Sequence, residues 1–478
     1  MNKSLLYIVA GKVIQVFIML ISIRVLTTIL SEKEIGQNYL LLSILVLFNF
    51  SCFNGLGQYF ARRTNELDAT GNLKNALASL VLIRCIGILL LLPAAYFIFY
   101  LGDYEKYYTT FDYLVFISSS LLTGVHLVFL STLNMLGNRV LFVKVQVATS
   151  LLTLLFSTAI VLFISETGIG WLYGAITAQL SLMIPLYMFL IRKSSFSLEV
   201  VLGALSTKKV KDVLVFIGPL SVMLCLQWGQ NLSYRFAVEA KYSIELLGSI
   251  GVGFATATAI FTAIDNVSTQ FFNPIYYKKL MGADKRQRIK IWQDYALILI
   301  SIYLITLIFI ISTAPFLLNV LVADKYHDVY LFVIGGALIE FFRLCCNVVY
   351  MISQSEYNTK KNVGPYFYGV LVLSIFLWLV DFSERTYLIP AVQILSYAII
   401  FIMLFKNMQS LLNVSLPLKD FFRVVFVASP LLLLLLLSHQ QSIIWSISTL
   451  GIAGSYLIGM LYIYVYKKAI NHNFINNI

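Results

Sequence analysis

The stretch WQDYALILISIYLITLIFIISTA, at residues 292–314, decides the class of fold. It contains no charged residue from Tyr295 to Ala314. Because a helix needs roughly 20 mostly apolar residues to cross the hydrocarbon core of a bilayer, this segment is predicted to span a membrane. The whole chain has the same character, since 60% of its 478 residues are hydrophobic, 12% are charged and the mean hydropathy is +0.87. This composition excludes a water-soluble enzyme.

Apolar stretches of helix-spanning length follow one another along the whole chain. They lie at about residues 5–30, 37–60, 76–100, 113–136, 141–164, 170–191, 213–237, 248–272, 292–314, 331–353, 364–380, 387–405, 421–438 and 443–466. The sequence therefore predicts an all-α polytopic membrane protein with 12–14 transmembrane helices.

The loops between these stretches alternate in charge. If the amino terminus is cytoplasmic, most Lys and Arg residues fall in cytoplasmic segments, as far as Lys467 and Lys468 in the predicted tail. The opposite loops hold only Lys33, Lys106, Lys241, Lys325 and Arg385. Cytoplasmic loops are enriched in Lys and Arg, and a single missed helix would invert every later loop. The pattern predicts an even number of spans with both termini in the cytoplasm.

The formal net charge of +12 is explained by these basic loops. Nucleic acid is therefore not a predicted partner. The most basic loop, at residues 277–290, is expected to contact anionic membrane lipids instead.

A short pattern occurs twice in the sequence. Arg24 closes the first predicted helix, and Glu34-Ile35-Gly36 opens the second. Arg235 closes the seventh helix, and Glu245 and Gly248 open the eighth. The first copy joins helices one and two and the second joins helices seven and eight, so the copies are six helices apart. This spacing indicates an internal duplication.

The duplication predicts two pseudo-symmetric six-helix bundles followed by two additional helices and a cytoplasmic tail. The predicted bounds of these three parts are residues 1–206, 207–410 and 411–478. Duplicated bundles are typical of alternating-access transporters, whose substrate path lies between the halves.

The chain lacks the sequence motifs of the common enzymes. It has no GxxxxGK[ST] loop, HExxH pair, nucleophile elbow or Gly-rich dinucleotide fingerprint. Its five cysteines lie in apolar runs without the spacing of a zinc site. The predicted outside loops are too short for a catalytic domain. The protein is therefore predicted not to be an enzyme, to need no cofactor or metal, and to draw energy from an ion gradient or from downstream consumption of its substrate.

Apart from Lys144, Asp294 and Arg423, which lie at the cytoplasmic ends of their predicted spans, seven charged residues fall within the predicted helices. Each costs at least about 2.5–3.5 kcal/mol at the centre of a membrane, so it should face a partner or a wet cavity. The five cations exceed the two acids, and a cationic cavity would offset the cost of moving an anionic head group through the bilayer. The substrate-binding candidates are Lys12, Arg24, Arg84, Arg235 and Arg343, and the ion-coupling candidates are Asp265 and Glu340.

These residues also have structural interpretations. Lys12, Arg24 and Arg235 lie within reach of a membrane interface, where long cationic side chains can extend into the head groups. Arg343 and Glu340 are three residues apart on one helical face, so they form either a structural ion pair or a charge switch. Asp265 could bind a proton or sodium ion, or be satisfied by arginines and nearby hydroxyls.

Several motifs resemble those of a known family. The first half contains Arg24, Glu34-Ile35-Gly36 and Gly55-Leu56-Gly57-Gln58-Tyr59-Phe60-Ala61-Arg62-Arg63. The second half contains Gly218-Pro219-Leu220, Trp228, Arg235, Gly248 and Asn273-Pro274-Ile275-Tyr276. In this order they resemble the polysaccharide and lipid-linked oligosaccharide flippases of the multidrug/oligosaccharidyl-lipid/polysaccharide exporter superfamily, in particular O-antigen or capsule repeat-unit flippases. Ile217 and Tyr234 depart from the usual glycine and aspartate of the family.

The resemblance covers about residues 5–76 and 207–280. It implies a transporter of the bacterial inner membrane that inverts undecaprenyl-pyrophosphate-linked oligosaccharide from the cytoplasmic to the periplasmic leaflet. H⁺ or Na⁺ coupling is expected from Asp265, and contact with polymerase and chain-length machinery is a further expectation for such a transporter. Two alternatives are a cation-coupled exporter of small amphipathic molecules and a membrane-embedded polysaccharide polymerase, although the latter would normally present a sizeable outside loop.

Overall fold

A computed structural model of the chain describes residues 3–190, 207–356, 358–437 and 442–463. Within these ranges the chain is almost entirely helical and has no β-strand. A helix forms at each of the predicted spans, so the prediction of an all-α polytopic membrane protein is confirmed. Residues 464–478, which include the end of the last predicted span, Lys467, Lys468 and the predicted cytoplasmic tail, lie outside the described residues.

The helices of the first half are long and joined by short turns. They are α1 (Lys3–Ile29), α2 (Glu32–Phe48), α3 (Asn54–Ala69), α4 (Leu73–Leu101), α5 (Thr110–Met135), α6 (Arg139–Phe163) and α7 (Gly168–Leu190). A π-helical turn, Asn49–Phe53, joins α2 directly to α3, so that Glu32–Ala61 forms one membrane-spanning stretch.

The second half continues with two helices that replace one predicted span. Residues 213–237 were expected to form a single helix, but they lie in α8 (Thr207–Leu232) and the short α9 (Tyr234–Lys241). The remaining helices are α10 (Ile244–Leu280), α11 (Lys285–Leu321), α12 (Tyr330–Ser355), α13 (Val363–Leu379), α14 (Ile389–Gln409), α15 (Leu418–Ala428) and α16 (Ile443–Leu461).

Thirteen helical stretches in the described ranges are long and apolar enough to cross a membrane. The span predicted at residues 213–237, which lies in α8 and α9, is not among these stretches, and part of α8 has side chains outside the described ones. The chain is thus a multi-pass membrane protein.

The internal contacts divide the chain into two compact units. One unit comprises Met1–Ser22 and Ile29–Arg235, and the other comprises Ile23–Thr28 and Phe236–Ile478. We refer to them as the first unit and the second unit.

The core of the first unit lies where α4, α5 and α7 meet. Leu77, Val125 and Leu133 are fully buried there, and the ring of Phe129 stacks on Tyr187 at 5.6 Å between centroids. This packing fixes α4 against α5, which determines where the side chain of Arg84 can go.

The core of the second unit is built around α11. Side chains on all sides of this helix are fully buried, among them Trp292, Leu299, Ile305 and Ile310. A helix that is apolar all round belongs in the interior of a bundle or in lipid, and here it is surrounded by protein. It therefore serves as the scaffold against which α10 and α12 present their polar residues.

The repeated sequence pattern has a structural counterpart at two helix starts. The hydroxyl of Ser31 accepts a hydrogen bond from the backbone N–H of Glu34 at 3.2 Å, and that of Ser243 accepts one from Leu246 at 3.1 Å. Both helices also carry an acidic residue in the first turn, which favours the helix dipole. The same residue types therefore cap α2 and α10.

Candidate functional site

The intramembrane charges divide between the two units. Lys12, Arg84 and Arg235 belong to the first unit, and no carboxylate among the described residues lies within 4 Å of any of them. The second unit holds the other members of the predicted set, which are Arg24, Arg343, Asp265 and Glu340. The cationic surplus is therefore concentrated in the first unit.

Arg84 is the most deeply buried of these cations. Its residue exposure is 3%, its Nε donates to the carbonyl oxygen of Leu121 at 2.6 Å, and its Nη2 donates to Oδ1 of Asn49 at 3.0 Å. The guanidinium carbon also lies 4.6 Å from the ring centroid of Phe53. All three partners are neutral.

Neutral partners are sufficient to hold this charge in the membrane. Hydrogen bonds to a charged group contribute roughly 1.5–3 kcal/mol each, and a desolvated cation–π contact adds roughly 2 kcal/mol. Together they offset the roughly 2.5–3.5 kcal/mol that an arginine costs at a helix centre. Arg84 is stable here without a carboxylate, so its positive charge remains uncompensated.

Arg235 contacts one turn of α2. Its Nη1 donates to the carbonyl oxygen of Tyr39 at 2.8 Å and to the hydroxyl of Ser43 at 3.2 Å, and the guanidinium lies 4.9 Å from the ring centroid of Tyr39. The indole Nε1 of Trp228 donates to the carbonyl oxygen of Ser43 at 2.8 Å. Trp228 and Arg235, both part of the sequence pattern, thus bind the same helical turn.

Lys12 lies half-buried between α1 and α6. Its Nζ donates to the side-chain oxygens of Gln15 and Gln146, each at 3.2 Å. Two amide oxygens satisfy two of its three N–H donors without neutralising its charge. Lys12 therefore adds a second cation that retains its charge.

Arg24 forms a weak ion pair at the end of α1. Its Nη2 lies 3.8 Å from Oδ1 of Asp324, and the two side chains are 37% and 88% exposed. Pairs this exposed contribute about 0–1 kcal/mol. The end of α1 is held more firmly by Thr27, whose hydroxyl accepts a hydrogen bond from the backbone N–H of Ala323 at 3.1 Å. Arg24 is therefore accessible to a ligand.

Glu340 and Arg343 form a close ion pair in α12. Nε and Nη2 of Arg343 donate to Oε2 of Glu340 at 2.9 and 2.6 Å, and the hydroxyl of Thr258 donates to Oε1 at 3.1 Å. The Glu340 side chain is 11% exposed and that of Arg343 is 28% exposed. The pair joins α12 to α10.

Asp265 lies in the same polar region of the second unit. Its Oδ1 accepts a hydrogen bond from the hydroxyl of Tyr303 at 2.6 Å, and it is close enough to Glu340 and Arg343 to interact with both electrostatically. When all three groups are ionised, two carboxylates face one guanidinium. A bound proton or monovalent cation would neutralise the remaining negative charge.

Comparison with known proteins identifies similar folds. No protein-family model and no curated protein matches the sequence. The structure resembles a lipid II flippase, MurJ, in an inward closed conformation, with a TM-score of 0.70 and 13% identity over 98% of this chain and 99% of that one. It also resembles an inward-facing multidrug resistance MATE family transporter of the MOP superfamily, with a TM-score of 0.59 and 14% identity over 87% and 97% of the two chains.

A third similar structure is the eukaryotic MATE transporter AtDTX14. The TM-score is 0.52 at 12% identity, over 89% of this chain and 98% of that one. The chain shares the fold of these three structures.

Two hydrogen-bond partners of the candidate residues were absent from the sequence-based prediction. Asn49, which binds Arg84, is a neutral residue 35 positions away, and Tyr303, which binds Asp265, is 38 positions away. Neither residue stands out by type or spacing. The i,i+3 spacing of Glu340 and Arg343, by contrast, was visible in the sequence.

The described residues include no cluster of three or more His, Cys, Asp or Glu side chains placed to hold a metal ion. The polar region of the second unit contains two carboxylates, a threonine hydroxyl and a tyrosine hydroxyl. Oxygen donors of this kind suit a proton or a hard cation such as Na⁺ better than a transition metal.

Proposed function

We propose that the protein is a flippase for an undecaprenyl-pyrophosphate-linked oligosaccharide, the repeat unit of an O-antigen or capsule. It moves this lipid from the cytoplasmic to the periplasmic leaflet by alternating access. The fold supports this proposal, because the chain resembles a lipid II flippase over 98% of its length.

The observation that carries the proposal is the set of uncompensated cations in the first unit. Lys12, Arg84 and Arg235 are held by amide, hydroxyl and carbonyl oxygens, with no carboxylate within 4 Å in the described part of the chain. A pyrophosphate head group carries the opposite charge and could bind arginines through bidentate hydrogen bonds. Arg24 and Arg343 are further candidates for this role.

We also propose that Asp265 and Glu340 couple flipping to an H⁺ or Na⁺ gradient. The support is their position around one arginine in the second unit, where one negative charge is left over. Binding a cation there would remove that charge and so change the electrostatics of the unit.

The remaining parts of the proposal concern location and partners. The chain is a multi-pass protein of the bacterial inner membrane with both termini in the cytoplasm, and it transports its substrate without chemical change. Contact with the polymerase and the chain-length machinery follows from the substrate, since the flipped repeat unit is what a polymerase consumes.

The direct test is the fate of lipid-linked oligosaccharide in cells that lack the protein. We expect undecaprenyl-linked repeat units to accumulate on the cytoplasmic leaflet and wild-type protein to reverse this. Repeat units that reach the periplasmic side but stay unpolymerised would point to a polymerase instead.

A second candidate function is cation-coupled export of small amphipathic molecules. The resemblance to multidrug resistance MATE transporters favours it. In that case, deletion would leave the lipid-linked pools unchanged and would raise the cellular retention of cationic dyes. Measuring the lipid-linked oligosaccharide and the retained dye in the same deletion strain separates the two functions.

A further inference from the structure

The π-helical turn Asn49–Phe53 supplies two of the three contacts of Arg84. Its first residue provides the amide oxygen that accepts from Nη2, and its last residue provides the ring beneath the guanidinium. A π-helical turn holds one residue more than an α-helical turn and is found frequently at functional sites. Here it lies inside the membrane-spanning stretch Glu32–Ala61.

Two glycines make room for this arrangement. A Cβ atom at Gly124 would lie 1.9 Å from Nη2 of Arg84, so only glycine allows the guanidinium to rest against α5. A Cβ atom at Gly87 would lie 2.9 Å from the ring of Phe53. The two glycines thus leave a slot that holds the guanidinium against Gly124 of α5 and the ring of Phe53 against Gly87 of α4.

The hydrogen bonds of Arg84 leave capacity for a ligand. The bonds to Leu121 and Asn49 use two of the five guanidinium N–H groups, and the described residues show no hydrogen bond from the other three. Arg84 is only 3% exposed, however, so a ligand cannot reach it in this conformation. Binding an anionic head group requires that the side chains that bury Arg84 move away.

We propose that the π-helical turn is a releasable clamp on Arg84. In the clamped state, Asn49 and Phe53 hold the guanidinium in its slot, and in the released state the turn adopts α-helical geometry and Arg84 binds the pyrophosphate group of the substrate. This inference rests on the proposed function.

Helix geometry explains why the two contacts are lost together. Each residue of an α-helix advances the chain by about 100° around the axis, so removing the extra residue from the π-helical turn rotates the helix on one side of the turn by about this angle relative to the other side. Asn49 and Phe53 are four residues apart and therefore share one face of an α-helix, so both side chains turn away from α4 together. Loss of the amide and the ring leaves Arg84 with the carbonyl of Leu121 alone, which makes an anionic ligand the stronger partner.

The clamp makes an unusual prediction about affinity. Apparent affinity is reduced by the fraction of protein that is not competent to bind, so weakening the clamp should strengthen binding. We expect Phe53→Leu and Asn49→Ala to lower the Kd for undecaprenyl pyrophosphate in nanodiscs several-fold. A purely structural role for these side chains predicts weaker binding or no change.

A matched control and a double variant sharpen the test. Phe116→Leu removes a similarly buried ring from α5 of the same unit and is expected to leave the Kd unchanged. Arg84→Gln should weaken binding, and Phe53→Leu should have no further effect in that background, because the clamp has nothing left to hold.

The outcomes separate the clamp from the proposed function. If Arg84→Gln weakens binding but Phe53→Leu and Asn49→Ala do not strengthen it, the clamp is wrong and the proposed function stands. If Arg84→Gln binds as tightly as the wild type, both the clamp and the role of Arg84 in the proposed function are wrong.

Hydrogen exchange of the wild-type protein provides an independent measurement should the variants fold poorly. Undecaprenyl pyrophosphate is expected to change amide exchange at residues 47–56, with no change at residues 292–314 in the second unit. Unchanged exchange at residues 47–56 in saturating ligand contradicts the clamp.

Discussion

At the residue scale, Glu340 and Arg343 show how an intramembrane ion pair depends on both partners. Arg343 donates twice to one carboxylate oxygen, and the side chain of Glu340 is 11% exposed. Removing one member leaves an uncompensated charge in a region of low dielectric, whereas removing both leaves two neutral groups.

This argument predicts an asymmetry between single and double variants. Arg343→Gln is expected to destabilise the protein by about 3–5 kcal/mol, because the carboxylate of Glu340 loses its partner. The double variant Glu340→Gln/Arg343→Gln should be markedly more stable than Arg343→Gln. Thermal unfolding of the three proteins in one detergent measures the difference, and equal stability of the single and double variants would contradict it.

Asp265 and Tyr303 lead to a second prediction at this scale. If Asp265 binds the coupling ion, Asp265→Asn should abolish the dependence of flipping on the ion gradient. Tyr303→Phe removes only the hydroxyl that lies 2.6 Å from Oδ1 and should shift the apparent ion affinity several-fold while coupling persists. Flipping measured in proteoliposomes with imposed H⁺ or Na⁺ gradients tests both. Gradient dependence that survives Asp265→Asn excludes Asp265 as the coupling site.

At the scale of elements, the carboxyl end of α13 is capped by a lysine side chain from α9. Nζ of Lys241 donates to the carbonyl oxygens of Leu377, Trp378 and Val380 at 2.8–3.3 Å. These carbonyls have no partner within the helix, and a cation at this end also favours the helix dipole. Lys241 thus joins α9 to α13.

Replacing Lys241 should therefore destabilise the second unit. We expect Lys241→Met to reduce the free energy of unfolding by about 1–2 kcal/mol, since a helix-end cation and charged hydrogen bonds are lost. Lys33→Met is the matched control, because Lys33 is exposed. A thermal shift of the same size in both variants would show that only the loss of charge matters.

Asp381 lies two residues beyond the carboxyl end of α13, and its contribution to the stability of the folded protein depends on pH. Hydrogen bonds from the hydroxyl and backbone N–H of Ser383 hold the pKa of its carboxyl below the usual range. A carboxyl whose pKa is lowered by folding stabilises the protein above its unfolded pKa of about 3.9, and this contribution disappears as the pH falls.

At the scale of the whole molecule, the alternation of charge predicts which side each loop faces. Lys33 and Lys285 are both exposed and lie in loops predicted to face opposite sides. In a cysteine-free background, Lys33→Cys should react with a membrane-impermeant maleimide applied to whole cells, and Lys285→Cys should react only after permeabilisation. The reverse pattern would invert the proposed topology.

The fold was largely predictable because membrane spans depend on length and composition, which the sequence contains directly. The exception is the span predicted at residues 213–237, because a turn at Ser233 divides it into α8 and α9. The division at residues 1–206, 207–410 and 411–478 stays a prediction.

The candidate site was predictable only where partners share a helix. Glu340 and Arg343 are one turn apart, but Arg84 is held by Asn49 and Leu121, which come from two other parts of the chain. Those partners are an ordinary amide and a backbone carbonyl. Tertiary packing of α4 against α5 and the π-helical turn brings them together, and no local pattern in the sequence encodes that approach.

The uncompensated cations of the first unit have a consequence for the energetics of the transport cycle. Moving one elementary charge across a membrane potential of 100 mV changes the free energy by about 2.3 kcal/mol. Lys12, Arg84 and Arg235 would feel this voltage whenever a conformational change moved them through the field. A bound pyrophosphate would screen them, so voltage would act mainly on the empty carrier. The resting potential of the cell would then set the rate at which the protein resets rather than the rate at which it moves its lipid.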